Sequence, residues 1–200
     1  MNIIKRYIPK GANNPEYKIT VDKIVIHYSG VVGCPAEIMA TCLINNNANN
    51  VSANYCVDEN TIIETIPPGY MSYGVTAEND HIINIEVCYT KESGEFEPGT
   101  IENLHELVLK LMTDFNLTPA DVVRHYDLSH TGKWCPIYYI DSNKWAALHE
   151  KITAPQTQPE KLYRIQVGAF TIRENAERYM NVVKKAGFPA FIVEFEKGVI

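Results

Sequence analysis

The sequence predicts an α/β protein: a mixed central β-sheet flanked by helices, followed by a small C-terminal βαβ half-domain. Three observations predict it. Short β-branched runs such as Ile24-Val25-Ile26 and Ile82-Ile83 alternate with stretches of helical periodicity. From Thr100 onward, apolar residues recur every three to four positions over several turns. Residues 154–161, polar and holding Pro155 and Pro159, then separate a final strand–helix–strand pattern from all that precedes it.

Taken in order, residues 23–28 (Lys-Ile-Val-Ile-His-Tyr) read as a buried strand bounded by turn residues. Pro35 is placed to open a helix over 36–45, with Ile38, Met39, Cys42 and Leu43 on one face. The Asn-rich stretch 45–50 ends it. Residues 53–58 and 61–66 form a hairpin around Glu59-Asn60, closed by Pro67-Pro68-Gly69. The apolar run 82–89 predicts a central strand.

The long helix is expected to start on Thr100 as N-cap and to bury Ile101, Leu104, Leu107, Val108, Leu111, Met112 and Phe115. Residues 122–125 read as a short strand end. A loop over 127–139 leads to a helix capped by Asp141 or Ser142 and packing Trp145, Leu148 and Ile152. The expected organisation is a catalytic domain over 1–153, a linker over 154–161 and a half-domain over 162–200. The half-domain comprises a strand at 162–170, a helix at 173–186 stopped by Gly187, and a strand at 190–195. Such a unit falls just below the roughly 40 residues at which a core sustains itself.

Bulk composition narrows the function. A length of 200 residues suits one core with a small appendage. A net charge of -6 lacks the basic footprint that a phosphate backbone requires, so nucleic acid is not the expected partner. The apolar runs fall far short of the ~20 residues that span a bilayer, so no membrane association is expected. The N-terminus has no apolar signal-peptide core, which predicts synthesis in the cytoplasm without an export signal. Five cysteines at irregular spacing are not a disulfide framework, and free thiols are the expectation, although Cys34 and Cys42 are near enough in sequence for a bridge. Cys56 and Cys88 sit in apolar runs as small core residues.

Three ligand-type side chains lie at strand ends or beside them: His27, His125 and Cys135. Two imidazoles and a thiolate make a zinc site with one open position, the arrangement of catalytic zinc. A closed structural site would need a fourth protein ligand, and the cysteines supply no CxxC pair. A histidine at a strand end also serves as a hydrogen-bonded structural residue, and spacing does not separate the two readings. His130 competes with His125 on residue type.

Residues 1–153 resemble the amidase-2 type of N-acetylmuramoyl-L-alanine amidase, the family of phage lysozyme-type amidases and peptidoglycan recognition proteins. The resemblance rests on residues 24–29 (Ile-Val-Ile-His-Tyr-Ser), 52–58 (Ser-Ala-Asn-Tyr-Cys-Val-Asp), 79–87 (Asn-Asp-His-Ile-Ile-Asn-Ile-Glu-Val), and Arg124-His125-Tyr126-Asp127 leading to Gly132-Lys133-Trp134-Cys135-Pro136. It implies zinc held by His27, His125 and Cys135, with Glu86 as catalytic carboxylate and Lys133 as cationic stabiliser. Those types suit amide hydrolysis, which needs a polarised carbonyl, an activated water and a proton for the leaving nitrogen. Glu86 as a buried, paired carboxylate and Lys133 as a solvated loop residue are the alternative readings.

Asn54 stands where relatives often carry histidine, and Tyr73 where they often show Trp-His. Both are expected to line the cleft and bind the peptide stem. Asp127 is read as a loop-capping carboxylate or a partner of a ligand imidazole. His81, His105 and His149 are assigned no role.

Residues 162–170, 174–177 and 186–190 resemble the start of a SPOR domain, a peptidoglycan-binding module with two βαβ halves. This stretch covers only the first half, whose exposed strand edges fit either the pairing of two chains into a composite sheet, and so a homodimer, or a truncated, poorly ordered tail. The resemblances together imply a zinc hydrolase of the cell wall, a phage or prophage endolysin that cuts peptidoglycan between N-acetylmuramic acid and L-alanine after release. The alternatives are a non-catalytic peptidoglycan binder, which Cys135 disfavours, and a cytoplasmic muropeptide-recycling amidase, which the wall-binding resemblance disfavours.

Overall fold

A computed structural model of the chain describes residues 2–45, 50–129, 131–155 and 166–194. The chain divides into two units, Met1–Gln156 and Thr157–Ile200.

In the first unit, strands β1 (Ile3–Lys5), β2 (Lys23–Tyr28), β3 (Tyr55–Val57), β4 (Ile62–Glu64), β5 (Ile82–Val87) and β6 (Val122–Arg124) form one sheet in the order β1-β4-β3-β5-β2-β6. β3 and β4 are the antiparallel hairpin, and every other neighbouring pair is parallel. The helices are α1 (Ala36–Asn45), α2 (Pro98–Phe115), the single turn α3 (His125–Leu128) and α4 (Ser142–Thr153). This is the mixed α/β sheet that the sequence predicts, with β5 central between β3 and β2.

Strand alternation divides the side chains between two faces. Ile24 and Ile26 of β2, Ile83, Ile85 and Val87 of β5, and Val122 of β6 pack against Leu104, Leu107, Val108 and Leu111 of α2 and Leu148 and Ile152 of α4. On the other face, Cys56 and Ile63 meet Ala36, Ala40 and Leu43 of α1, while Val25 and Ile82 pack with Val75. His27, one residue past Ile26, leaves β2 on this second face.

The structure corrects several local expectations. α1 buries Ala36, Ala40 and Leu43, whereas Ile38 and Cys42 are exposed. Two alanines on the inner stripe let the helix backbone approach Cys56 and Ile63, so the helix turns its smaller residues inward. α2 begins at Pro98, whose ring suits the first helical position, and Thr100 is buried inside the helix rather than capping it. β1 had no sequence signal, being a three-residue edge strand that gains its ladder only by pairing with β4. All five cysteines are free, with Cys56 and Cys88 buried.

In the second unit, α5 (Arg173–Lys185) forms as expected, and the Phe170 and Tyr179 rings meet at 5.5 Å. The expected flanking strands are not seen among the described residues, since 166–170 and 190–194 are not in strand, and 162–165 and 195 lie outside them. Single strands without hydrogen-bonding neighbours have no ladder to hold them. The homodimer expected through 162–200 rested on those strand edges and gains no support.

Candidate metal centre

β2 and β6 are parallel neighbours, and their C-terminal ends deliver His27 and His125 to the same point. The rings meet edge to face with centroids 4.6 Å apart, and the two Nδ1 atoms are 2.9 Å apart. Cys135 reaches the same place from the loop after α3, with Sγ 3.8 Å from His27 Nδ1. All three are buried, and their ligand atoms lie within 4.8 Å of one another. Among the described residues this is the one such cluster. His130 lies outside the described residues.

The electrostatics suit a cation. Burial, then the neighbouring His125 charge, holds the His27 imidazole down at about 3. Burial and the Lys133 ammonium hold His125 at about 4. Both rings are therefore neutral at physiological pH, the form in which an imidazole can hold a metal. Burial and the nearby Glu86 carboxyl push the Cys135 thiol up to about 12, so that sulfur ionises only where a positive charge stands beside it. Two neutral imidazoles and an ionisable thiol form a donor set fit for a borderline-soft divalent cation.

The loop bearing Cys135 is tied down by Arg124. Its guanidinium forks onto Asp127 at 2.6 to 3.1 Å and donates from Nη1 to the carbonyls of Tyr139 at 2.7 Å and Ile140 at 3.1 Å. The Asp127 carboxylate also accepts from the Arg124 backbone N–H, capping α3, so Asp127 is the loop-capping carboxylate. The Tyr126 N–H donates to the Cys135 carbonyl at 2.8 Å, closing the loop on the helix.

Glu86 stands in register with His27 across β2 and β5. Its Oε2 is shielded from solvent and has no hydrogen-bond partner among the described residues, which speaks against Glu86 as a paired carboxylate. Burial pushes the carboxyl up to about 8, against the opposing pull of the Lys133 ammonium. Lys133 is exposed, and its charge acts on Glu86, His27, His125 and Cys135 together.

The expected substrate-lining pair divides. Asn54 is fully buried and its amide is engaged within the protein, so it does not line the cleft. A short polar side chain on a hairpin flank was free to face either way, and the sheet register turns it inward. Tyr73 is half-buried, its backbone paired both ways with Ser52. His105 and His149 donate from Nε2 to the backbone carbonyls of Ala154 and Pro119, each at 2.8 Å. Sequence reasoning passed over Asn84, whose Oδ1 lies 2.9 Å from His27 Nε2. Its signal was an amide inside the apolar run Ile82-Ile83-Asn84-Ile85, where a buried polar group needs a partner. Arg124 was likewise visible only as part of a motif.

A profile of the N-acetylmuramoyl-L-alanine amidase family matches residues 17–137, a span that contains His27, Glu86, His125, Lys133 and Cys135. The chain belongs to that family. A SPOR domain profile matches residues 159–199. Among individual proteins, the chain is similar to the N-acetylmuramoyl-L-alanine amidase XlyA of Bacillus subtilis (strain 168), 33% identical over 149 residues that make up 71% of this chain and 48% of XlyA. The amidase CwlL of Bacillus licheniformis is 28% identical over 173 residues, 76% of this chain and 47% of CwlL. The chain thus spans about half the length of the curated relatives it matches. Of solved structures, PlyL superposes with a TM-score of 0.68 at 27% identity, covering 77% of this chain and 98% of PlyL.

Proposed function

We propose that the chain hydrolyses the amide bond between N-acetylmuramic acid and L-alanine in peptidoglycan, with a zinc ion held by His27, His125 and Cys135. The observation that carries this reading is the buried ligand cluster with the unpartnered Glu86 oxygen on the neighbouring strand. Zinc bound there supplies a Lewis acid and lowers the pKa of water.

The protein's own groups do the rest. Glu86 accepts a proton from the attacking water and passes it to the departing nitrogen of L-alanine. The products are a free lactyl carboxyl on the sugar and a new L-alanine amino group, so atoms and protons balance. The Lys133 ammonium offsets the negative charge that grows on the carbonyl oxygen. Tyr73, half-buried on the segment after Ser72, is proposed to contact the peptide stem.

The domain over 1–153 is the catalytic part in this reading, and 162–200 serves wall binding, supported by the SPOR match. The similarity to XlyA and PlyL supports an endolysin-type protein that acts on the cell wall. Among the described residues no helix is long and apolar enough to cross a membrane.

The test is turbidity of purified cell walls, with and without chelator, for the native chain and Cys135→Ser. L-Alanine amino termini should appear without new reducing sugars, and chelation or the substitution should stop their release. New reducing ends would make the protein a glycosidase and overturn the bond assignment.

A further inference from the structure

Behind His27 lies a buried hydrogen-bond relay whose proton positions follow from elementary donor and acceptor chemistry. It starts at Asn54. The Asn54 Nδ2 faces the carbonyl oxygens of Ile66 at 3.4 Å, Pro67 at 3.3 Å and Tyr70 at 3.0 Å, which can only accept. Its Oδ1 receives the Asn84 backbone N–H at 2.9 Å, which can only donate. Main-chain groups at both ends therefore fix which way this amide points.

The next two links inherit that choice. Ser72 Oγ lies 2.7 Å from Asn54 Oδ1, which carries no hydrogen, so the serine hydroxyl donates. A hydroxyl has one proton. Having given it to Asn54, Ser72 Oγ must accept from Asn84 Nδ2, 2.9 Å away. Asn84 Nδ2 also donates to the Ser72 carbonyl at 3.4 Å. The Asn84 Oδ1 is then the atom turned to His27 Nε2 at 2.9 Å.

An amide oxygen only accepts, so His27 Nε2 bears the hydrogen. A neutral imidazole has one N–H, which leaves Nδ1 with a bare lone pair. That is the nitrogen 2.9 Å from His125 Nδ1 and 3.8 Å from Cys135 Sγ.

A second observation shows that the relay is held mechanically. A Cβ on Gly74 would come within 2.3 Å of Asn84 Oδ1 and 2.5 Å of its Cγ, so only glycine leaves the amide its place. Gly74 is itself anchored, because Asn79 Oδ1 accepts the N–H groups of Gly74 at 3.0 Å and Val75 at 2.9 Å.

We propose that Asn54, Ser72 and Asn84 are positioning residues that hold His27 as its Nε2–H tautomer and present Nδ1 to the metal, with Gly74 locking the Asn84 amide in place. This deepens the zinc reading and rests on it for its consequence, though the tautomer itself does not. Asn54 thereby acts through two other side chains rather than by touching substrate.

The test is ¹⁵N NMR of histidine-labelled full chain after chelation, at pH about 8, where free imidazole is neutral. His27 should show a protonated Nε2 and an unprotonated Nδ1. Asn84→Leu and Gly74→Ala should let both tautomers appear and weaken zinc binding about 10- to 100-fold, the usual effect of losing a partner behind a metal ligand. Asn84→Asp, which keeps an acceptor oxygen, should retain the tautomer and bind zinc within a few-fold of the native chain, on the order of 1 kcal/mol or less. A native His27 protonated on Nδ1, or Asn84→Leu and Gly74→Ala binding zinc as tightly as the native chain, would overturn the proposal. If the native chain binds no zinc, the zinc reading falls, while the tautomer of the metal-free chain still decides the relay.

Discussion

His27 and Glu86 stand directly opposite each other on the adjacent parallel strands β2 and β5. Side chains in register on neighbouring strands leave the sheet on the same face, so a rigid ladder sets the spacing of this imidazole and carboxylate. His125 follows the end of β6, and a loop adds the rest: Cys135 comes from it, and Lys133 stands two residues before.

Replacing Glu86 by Gln should separate chemistry from binding. The amide keeps the volume and removes the proton acceptor, so amine release should fall about 10²- to 10⁴-fold. Zinc content, measured by atomic absorption after dialysis, should remain that of the native chain. Loss of the metal in this variant would show that Glu86 holds the site together instead of acting on water.

The metal-free protein should lose stability as pH rises from 6.5 to 8. Glu86 titrates at about 8 in the folded chain against 4.5 ordinarily, so over this range the unfolded chain has already released a proton that the folded chain retains. Stability falls by at most roughly 1.4 kcal/mol per pH unit, and Glu86→Gln removes the slope. His27 and His125 act in the opposite sense at lower pH. Their pKa values are depressed from 6.5 to about 3 and about 4, so the stability they confer is present above 6.5 and lost as pH falls through the folded values. Urea unfolding of chelated protein at a series of pH values reads both slopes.

Arg124→Met should destabilise the fold by about 2–4 kcal/mol, because it strips partners from Asp127 and from the carbonyls of Tyr139 and Ile140. Zinc affinity should fall with it, since the same guanidinium ties down the segment that follows Cys135. Arg124→Lys should recover little, an ammonium being unable to fork across the same acceptors. Denaturant midpoints and a zinc competition titration measure the two effects.

Asp141→Ala offers a contrasting case. The Asp141 carboxylate accepts from the N–H groups of Asn143 and Lys144, each at 3.0 Å, and so caps α4. Its removal should lower the midpoint of thermal or chemical unfolding slightly and leave wall hydrolysis unchanged.

Much of this was readable along the chain. Alternating runs such as Lys23–Tyr28 encode strands because burial on one face of a pleat demands a period of two, and the ligand-type residues His27, His125 and Cys135 stand out by chemistry and position. The spread of apolar residues through α2 named its buried face correctly at Leu104, Leu107, Val108 and Leu111. Where backbone pairing or close approach decided the outcome, local pattern failed. β1 exists through its ladder to β4, and α1 turns on which face admits a close sheet.

The amino-acid sequence by itself determined the α/β class, the order of the first unit's main elements and the chemical types available for catalysis, since these follow from periodicity and side-chain chemistry. Only the tertiary structure decided that two histidines 98 residues apart meet at Nδ1, that Asn54 turns inward, and that a Glu86 oxygen is buried with no partner among the described residues. Hydrogen-bond direction and burial are properties of neighbours brought together by folding, and no stretch of chain carries them alone.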